Sequence, residues 1–233
     1  MCLKYLIDIL SEISTWCTPY VPPEPEQTEV IYGLLYNWPA ATDARGIAAP
    51  GSHIPTSAEW QTLSTYLGGN AISGGKLKET GLTYWNTPNT GATNEVGFNV
   101  RGVGRRNQMG VFDENKGSIN IWSTTISYPS PPNPQELIYS AVFIYNMADF
   151  WESNEVKIFG FSIRLLKDST TLTHGQTGTY TGNDGKVYRT ICIGTQEWLA
   201  DNLCETKFAN GDLIPEVQVD GDWAALITAG MCA

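Results

Sequence analysis

Turn-forming residues punctuate this chain so often that nothing long and regular can form over most of it. From Val30 onward, short apolar or aromatic runs alternate with turn signals, as in IYGLLYNW (31–38), LGGN (67–70), SGGK (73–76) and GNDGK (182–186). Glycine admits positive φ and proline fixes φ while removing a donor, so each cluster ends an element, and the pattern predicts short strands joined by tight turns. Twenty-three glycines and thirteen prolines spread that pattern over 233 residues. With 42% hydrophobic, 11% aromatic and only 16% charged residues, the chain has enough apolar surface for a packed core, which excludes disorder. The length suits one domain plus an extension.

Helical signals are few. Thr56 or Ser57 can cap a helix with Glu59 in its first turn; Trp60, Leu63 and Leu67 mark its buried face, and Gly68 and Gly69 stop it. A second short helix is predicted near Trp223 to Ile227. At the N-terminus Leu3, Leu6, Ile7, Leu10 and Ile13 recur at helical spacing opposite Asp8, Ser11 and Glu12, predicting an amphipathic helix over 2–15. So short a helix must bury its stripe, either on its own domain or on another subunit. The Pro-rich PYVPPEPEQTE (19–29) after it reads as a stiff, extended spacer. The tail reads as hairpins: in KVYRTICIG, Val187, Arg189 and Ile191 alternate with Tyr188, Thr190 and Cys192, and EWLADNL follows a Gly-Thr-Gln turn. Between them and Asp168, STTLTHGQTGTY reads as a polar linker or exposed connection. The resulting division is an anchoring or oligomerising helix (1–18), a linker (19–29), and one domain (30–233) made of blocks 30–168 and 184–233 joined by 169–183.

Several functions are disfavoured by composition. A net charge of -10, with no basic cluster larger than Arg101, Arg105 and Arg106, repels a phosphate backbone and argues against nucleic acid. No apolar run approaches the roughly 20 residues that span a bilayer. Asp8 and Glu12 interrupt the N-terminal apolar stretch, which therefore reads poorly as an export signal and favours a cytoplasmic site of synthesis. Cys2, Cys17, Cys192, Cys204 and Cys232 have no metal-ligand spacing and are expected as reduced thiols. Two histidines, His53 and His174, argue against a Ser/His/Asp set; His53 is expected packed and hydrogen-bonded, His174 solvated. Asn183-Asp184, Asp212 and Asp220-Gly221-Asp222 lack EF-hand spacing and read as turn residues, so no cofactor is expected, with calcium left open. GVGRR (102–106) is too short for a dinucleotide loop and reads as a turn.

Two sets of strings carry a family resemblance. The first is YGLLYNW (32–38), HIPTSAEWQTLSTYLGG (53–69), GGKLKETG (74–81), PNTGATNEVGF (88–98), WSTT (122–125) and GFSIRLLKD (160–168). The second is DGKVYRTICIGTQEWLADNL (184–203), TKFANGDLIPEV (206–217) and Trp223 through Cys232. Together they resemble the Fibrobacter succinogenes major paralogous domain, a family of bacterial surface proteins and of phages that infect those bacteria. In that family the second set comes first. The resemblance therefore implies a circular permutation or a partial second repeat. It also implies an α+β, C-type-lectin-like fold, related to formylglycine-generating enzymes, with short antiparallel strands and one or two short helices in permuted order.

In such a fold the chain ends lie side by side, so GFSIRLL and KVYRTICIG would be neighbouring strands. Joining them costs little, since closure entropy grows by about 0.6 kcal/mol per doubling of loop length. An orphaned half domain would instead leave Val187, Ile191, Ile193 and Trp198 in water. Family members have cysteines near Ala48 or Ala49 and at Leu165, and a tryptophan at Ser52; the joint loss of the cysteines agrees with a reducing compartment. The copper-binding cysteine pair of the enzymes has no counterpart, so their activity does not transfer. Trp60, Trp85, Trp122 and Trp198 fall within the family strings and are expected in the core.

The stretch 126–157 is variable in the family and forms a lectin-like binding face. By that resemblance Tyr128, Asn146, Phe150, Trp151, Glu152 and Asn154 are the candidate ligand contacts, aromatics giving area and amides or carboxylates giving orientation. Strand alternation, with Phe143 and Tyr145 opposite Val142, Ile144 and Asn146, means that some of the stretch is core. The expected protein is a non-catalytic, homo-oligomeric phage fibre, tail or capsid-decoration component. It would bind a host surface glycan or protein, and other virion or self subunits through its N-terminal helix. The alternatives are a purely structural cement protein and a bacterial cell-surface adhesin.

Overall fold

A computed structural model describes residues 29–127 and 136–232. The expected helix over 2–15, nearly all of the spacer and Tyr128 lie outside the described residues. The described chain begins with helical turn α1 (Glu29–Tyr32), strand β1 (Leu35–Tyr36) and a second turn, α2 (Trp38–Ala41). Asn37 caps α2, its Oδ1 accepting the Ala40 N–H at 3.0 Å. Pro39 lies in the first turn, where a missing N–H costs nothing.

After β2 (Ser52–His53) comes the helix that the sequence predicts, α3 (Ser57–Tyr66), with Trp60, Leu63 and Leu67 buried. Its start is a reciprocal capping box. Thr56 Oγ1 accepts the Glu59 N–H at 3.3 Å, and the Glu59 carboxylate accepts the Thr56 N–H at 2.7 Å. Helix α4 (Asn70–Leu77) follows at once and corrects the reading of SGGK as a turn. Gly74 and Gly75 are there for proximity: a Cβ on Gly74 would lie 2.0 Å from the Asp149 carbonyl oxygen, and one on Gly75 would lie 2.3 Å from that of Gly91. Close backbone packing thus outweighs the roughly 1 kcal/mol that each helical glycine costs.

The strands come next. The second half of GVGRR is not turn but β3 (Arg105–Arg106), paired antiparallel with β4 (Phe112–Asp113). Strands β5 (Ser118–Ser127), β6 (Leu137–Ile144) and β7 (Trp151–Glu155) form an antiparallel sheet in that order, so most of the described part of 126–157 is regular structure. Then come β8 (Leu166–Lys167), β9 (Thr177–Thr181), β10 (Val187–Ile193), β11 (Gln196–Leu199), helix α5 (Asp220–Ala224) and β12 (Met231–Cys232). Strand β9 corrects the reading of 169–183 as mere connection. The architecture is α+β, with short helices on mostly antiparallel sheets.

The five-stranded sheet has the order β2-β8-β11-β10-β9. The expected adjacency of GFSIRLL and KVYRTICIG is therefore off by one strand. Leu166 pairs with Trp198 of β11, the Leu199 N–H donates to Leu165 at 2.9 Å, and the Leu203 N–H donates to Ile163 at 2.9 Å. Hairpins occupy β10 on both sides, with β9 and with β11, so β8 cannot pair with β10 and takes the outer edge of β11.

The tail shares its core with the first block. One cluster packs Tyr36, Trp122, Phe161 and Leu165 with Tyr180, Tyr188, Leu203 and Phe208; a second packs Trp60, Phe98 and Phe143 with Ile191, Ile193 and Trp198. Two fully buried arginines fasten the blocks together. Arg164 donates to Asn202 Oδ1 (2.7 Å) and to the carbonyls of Phe98 (2.8 Å), Asn99 and Leu199 (both 3.1 Å). Arg106 donates to the carbonyls of Gly110 and Gln218 (2.7 Å each) and of Val217, with its guanidinium 4.6 Å from the Trp223 ring centre. Desolvation disfavours the charge on Arg164, and its accepting oxygens offset that cost. One expected apolar contact fails: Val187 is 67% exposed, because it pairs with the edge strand beyond the core.

Candidate functional site

Strand β7 is the outer strand of its sheet, and the turn leading into it is held from beneath. Lys78 is fully buried, and its Nζ donates to the carbonyls of Ile144 (2.9 Å) and Met147 (2.7 Å). Burial pulls its pKa down to about 8. Helix α4 adds two backbone bonds, Gly75 N–H to Ala148 and Phe150 N–H to Asn70, both 2.7 Å. This clamp fixes where the turn ends and which face each residue of β7 takes.

Successive residues of a strand point to opposite sides. Phe150 points inward. It is 3% exposed and stacks on Trp60 with ring centres 6.1 Å apart, so the expectation of a ligand contact at Phe150 is corrected: it is core. Trp151 points outward and is 50% exposed, paired with Val142 of β6. Glu152 turns back toward α3, where one carboxylate oxygen accepts from Gln61 Nε2 and the other is buried. It braces the helix. Asn154 and Asn146 are exposed, as a contact role requires, but Asn154 shares the Glu152 side of the strand, opposite Trp151. The side chains that do share the Trp151 face are Ser153 and Glu155, linked by a 2.8 Å hydrogen bond. A count of two from Trp151 would have found both.

The two histidines and three of the acidic turn residues are engaged within the fold. His53 Nδ1 is 2.6 Å from Asp168 and its Nε2 is 3.0 Å from Glu59, so the ring bridges β2, the end of β8 and the α3 cap. Burial alone would lower the His53 pKa, but hydrogen bonds and charge from the two carboxylates outweigh it and raise the value. His174 is exposed and touches the Tyr66 ring edge at 5.1 Å. Among the acidic turns, Asp184 is taken by Lys186 at 2.8 Å, Asp212 by Arg45 at 3.3 Å and Asp220 by Arg106 at 3.3 Å. No group of three or more His, Cys, Asp or Glu side chains among the described residues is placed to hold a metal. Cys192, Cys204 and Cys232 are buried and form no disulfide, and burial pushes the Cys192 thiol up.

No described helix is long and apolar enough to cross a membrane. No curated protein and no solved structure matches the chain. The sequence model of the Fibrobacter succinogenes major domain matches residues 9–167, well over half of the 233 residues. The chain belongs to the Fibrobacter succinogenes major domain family.

Proposed function

We propose that this protein is a non-catalytic ligand-binding module of C-type-lectin-like build, with its two halves in swapped order. It serves as a fibre, tail or capsid-decoration component of a phage particle and binds a glycan or protein on the host surface. The observation that carries this reading is Trp151: an indole half in water, on an outer strand whose preceding turn is clamped by Lys78 and α4. Such a ring offers flat apolar area already fixed in place, so little entropy is lost when a ligand covers it. Ser153 and Glu155 beside it supply hydroxyl and carboxylate partners of the kind that orient a sugar or a peptide.

Two further observations support the reading. His53 has both ring nitrogens engaged by carboxylates, which leaves no lone pair to act as a base. The tail strands complete the sheet and both cores of the first block, as a permuted domain requires. Copies repeated on a particle would turn weak single contacts into useful avidity.

The test has two parts. Mass spectrometry and electron microscopy of purified particles should find the protein on the particle; recovery from a bacterial envelope and not from particles rejects the virion assignment. Trp151→Ala should weaken adhesion to host cells at least tenfold with the fold intact. Unchanged adhesion by a folded variant rejects the site.

A further inference from the structure

Strand β9 closes one side of the five-stranded sheet, and among the described residues its outer edge is open. The ladder with β10 is fixed at one end by the Gly182 N–H donating to Lys186 at 2.8 Å and at the other by the Cys192 N–H donating to Gln176 at 2.9 Å. Between them the register places Tyr180 opposite Tyr188 and Gly178 opposite Thr190. Hydrogen-bonded and non-bonded pairs alternate along an antiparallel ladder. Residues 178 and 180 therefore spend their backbone groups on β10, and Thr177, Thr179 and Thr181 aim theirs away from the sheet. All three threonines are exposed, and no other described segment hydrogen-bonds along that edge.

Folded proteins ordinarily blunt such an edge with charge, proline, a bulge or a covering loop. The outer strand of the other sheet, β7, carries Glu152 and Glu155. Strand β9, TGTYT, carries no charge and no proline, and its register runs without a break.

We propose that β9 is a self-pairing edge, through which two copies of this chain join antiparallel into one continuous sheet. The strand is its own complement. A two-fold axis at Thr179 sets it opposite Thr179 of the second copy and Thr177 opposite Thr181, so every outward N–H and C=O meets a partner. Each hydrogen-bonded pair across the seam is then threonine on threonine, a favourable cross-strand pair, with Gly178 opposite Tyr180 in between. Val187, paired with Thr181 and 67% exposed, flanks the seam one strand in and gains cover. The nearest charge on that side, Arg189, is already held by Asp201 at 3.0 Å. The net charge of -10 on each copy opposes association, so screening by salt should strengthen the dimer.

The experiment is sedimentation equilibrium of the full chain over a concentration series at low and high salt, with NMR-detected amide exchange. The mass should double as concentration rises, more readily at high salt, while exchange of the Thr177, Thr179 and Thr181 amides slows in step. Thr179→Pro removes only an outward donor, which an edge strand tolerates, and should restore the monomer with an unchanged circular dichroism spectrum. Should that variant fail to fold, Thr179→Lys, which sets like charges opposite each other, takes its place. A chain that stays monomeric overturns the proposal. So does a dimer in which these amides exchange at solvent rates, or one that either folded variant leaves intact.

Discussion

The hairpins β6–β7 and β10–β11 each open on an apolar-rich strand and bury it differently. In β10 the alternation that the sequence shows is obeyed at the start: Val187 and Arg189 face water, and Tyr188 and Thr190 face the core. By Ile191 both faces are buried, because β11, α3 and the second core cluster close over that end. In β6 nearly every residue from Ile138 to Phe143 is buried, since the strand is central in its sheet and has a core cluster on each side. Strand β7, one position further out, is half exposed. Burial along a strand thus follows its neighbours more than its own pattern.

The sharpest way to break this comparison is at adjacent residues of the first hairpin. Phe150→Ala empties part of the stack on Trp60 and should cost about 3–5 kcal/mol in urea unfolding. Trp151→Ala, next along the chain, should cost less than about 1 kcal/mol. Equal losses would mean that the inward and outward assignment of β7 is wrong. In the second hairpin, Ile191→Ala should cost about 2–4 kcal/mol, and Val187→Ala, on the same side of the same strand, should stay within about 0.5 kcal/mol.

Two titrations sharpen it further. The folded-state pKa of Lys78 is pulled down to about 8, against about 10.4 in an unfolded chain, so between those values the folded state binds fewer protons. Stability should therefore rise with pH across that window, by an amount on the order of 2 kcal/mol, relative to Lys78→Met, which lacks the titration. His53 has the opposite sign. Its folded pKa is raised, so its contribution is complete below about pH 6.5 and is lost as pH rises through the raised value. With more than a third of the side chain exposed, the loss should stay below about 1 kcal/mol and vanish in His53→Gln. A pH-independent difference between that variant and the native chain would mean that the ring is neutral in the fold.

Much of the site escaped a reading by residue type. Of the six candidate contacts, Phe150 and Glu152 turn inward because the turn clamped by Lys78 sets the phase of β7, and no local signal announces that clamp. Asn154 is exposed on the face away from Trp151, while Ser153 and Glu155, which share the Trp151 face, are chemically unremarkable in sequence. Aromatic and amide content singled out the region and could not sort its two sides.

What the sequence determined by itself is what neighbours in the chain decide. The capping box of Thr56 and Glu59, the glycine stop after Leu67 and the hairpin through Gly194 all rest on contacts a few residues apart. Tertiary structure alone decided that SGGK is helical, that β11 separates β8 from β10, and that Arg106 and Arg164 bind the tail to the first block. Each of those depends on which backbone groups are left unpaired once distant segments have packed, and spacing along the chain does not encode that.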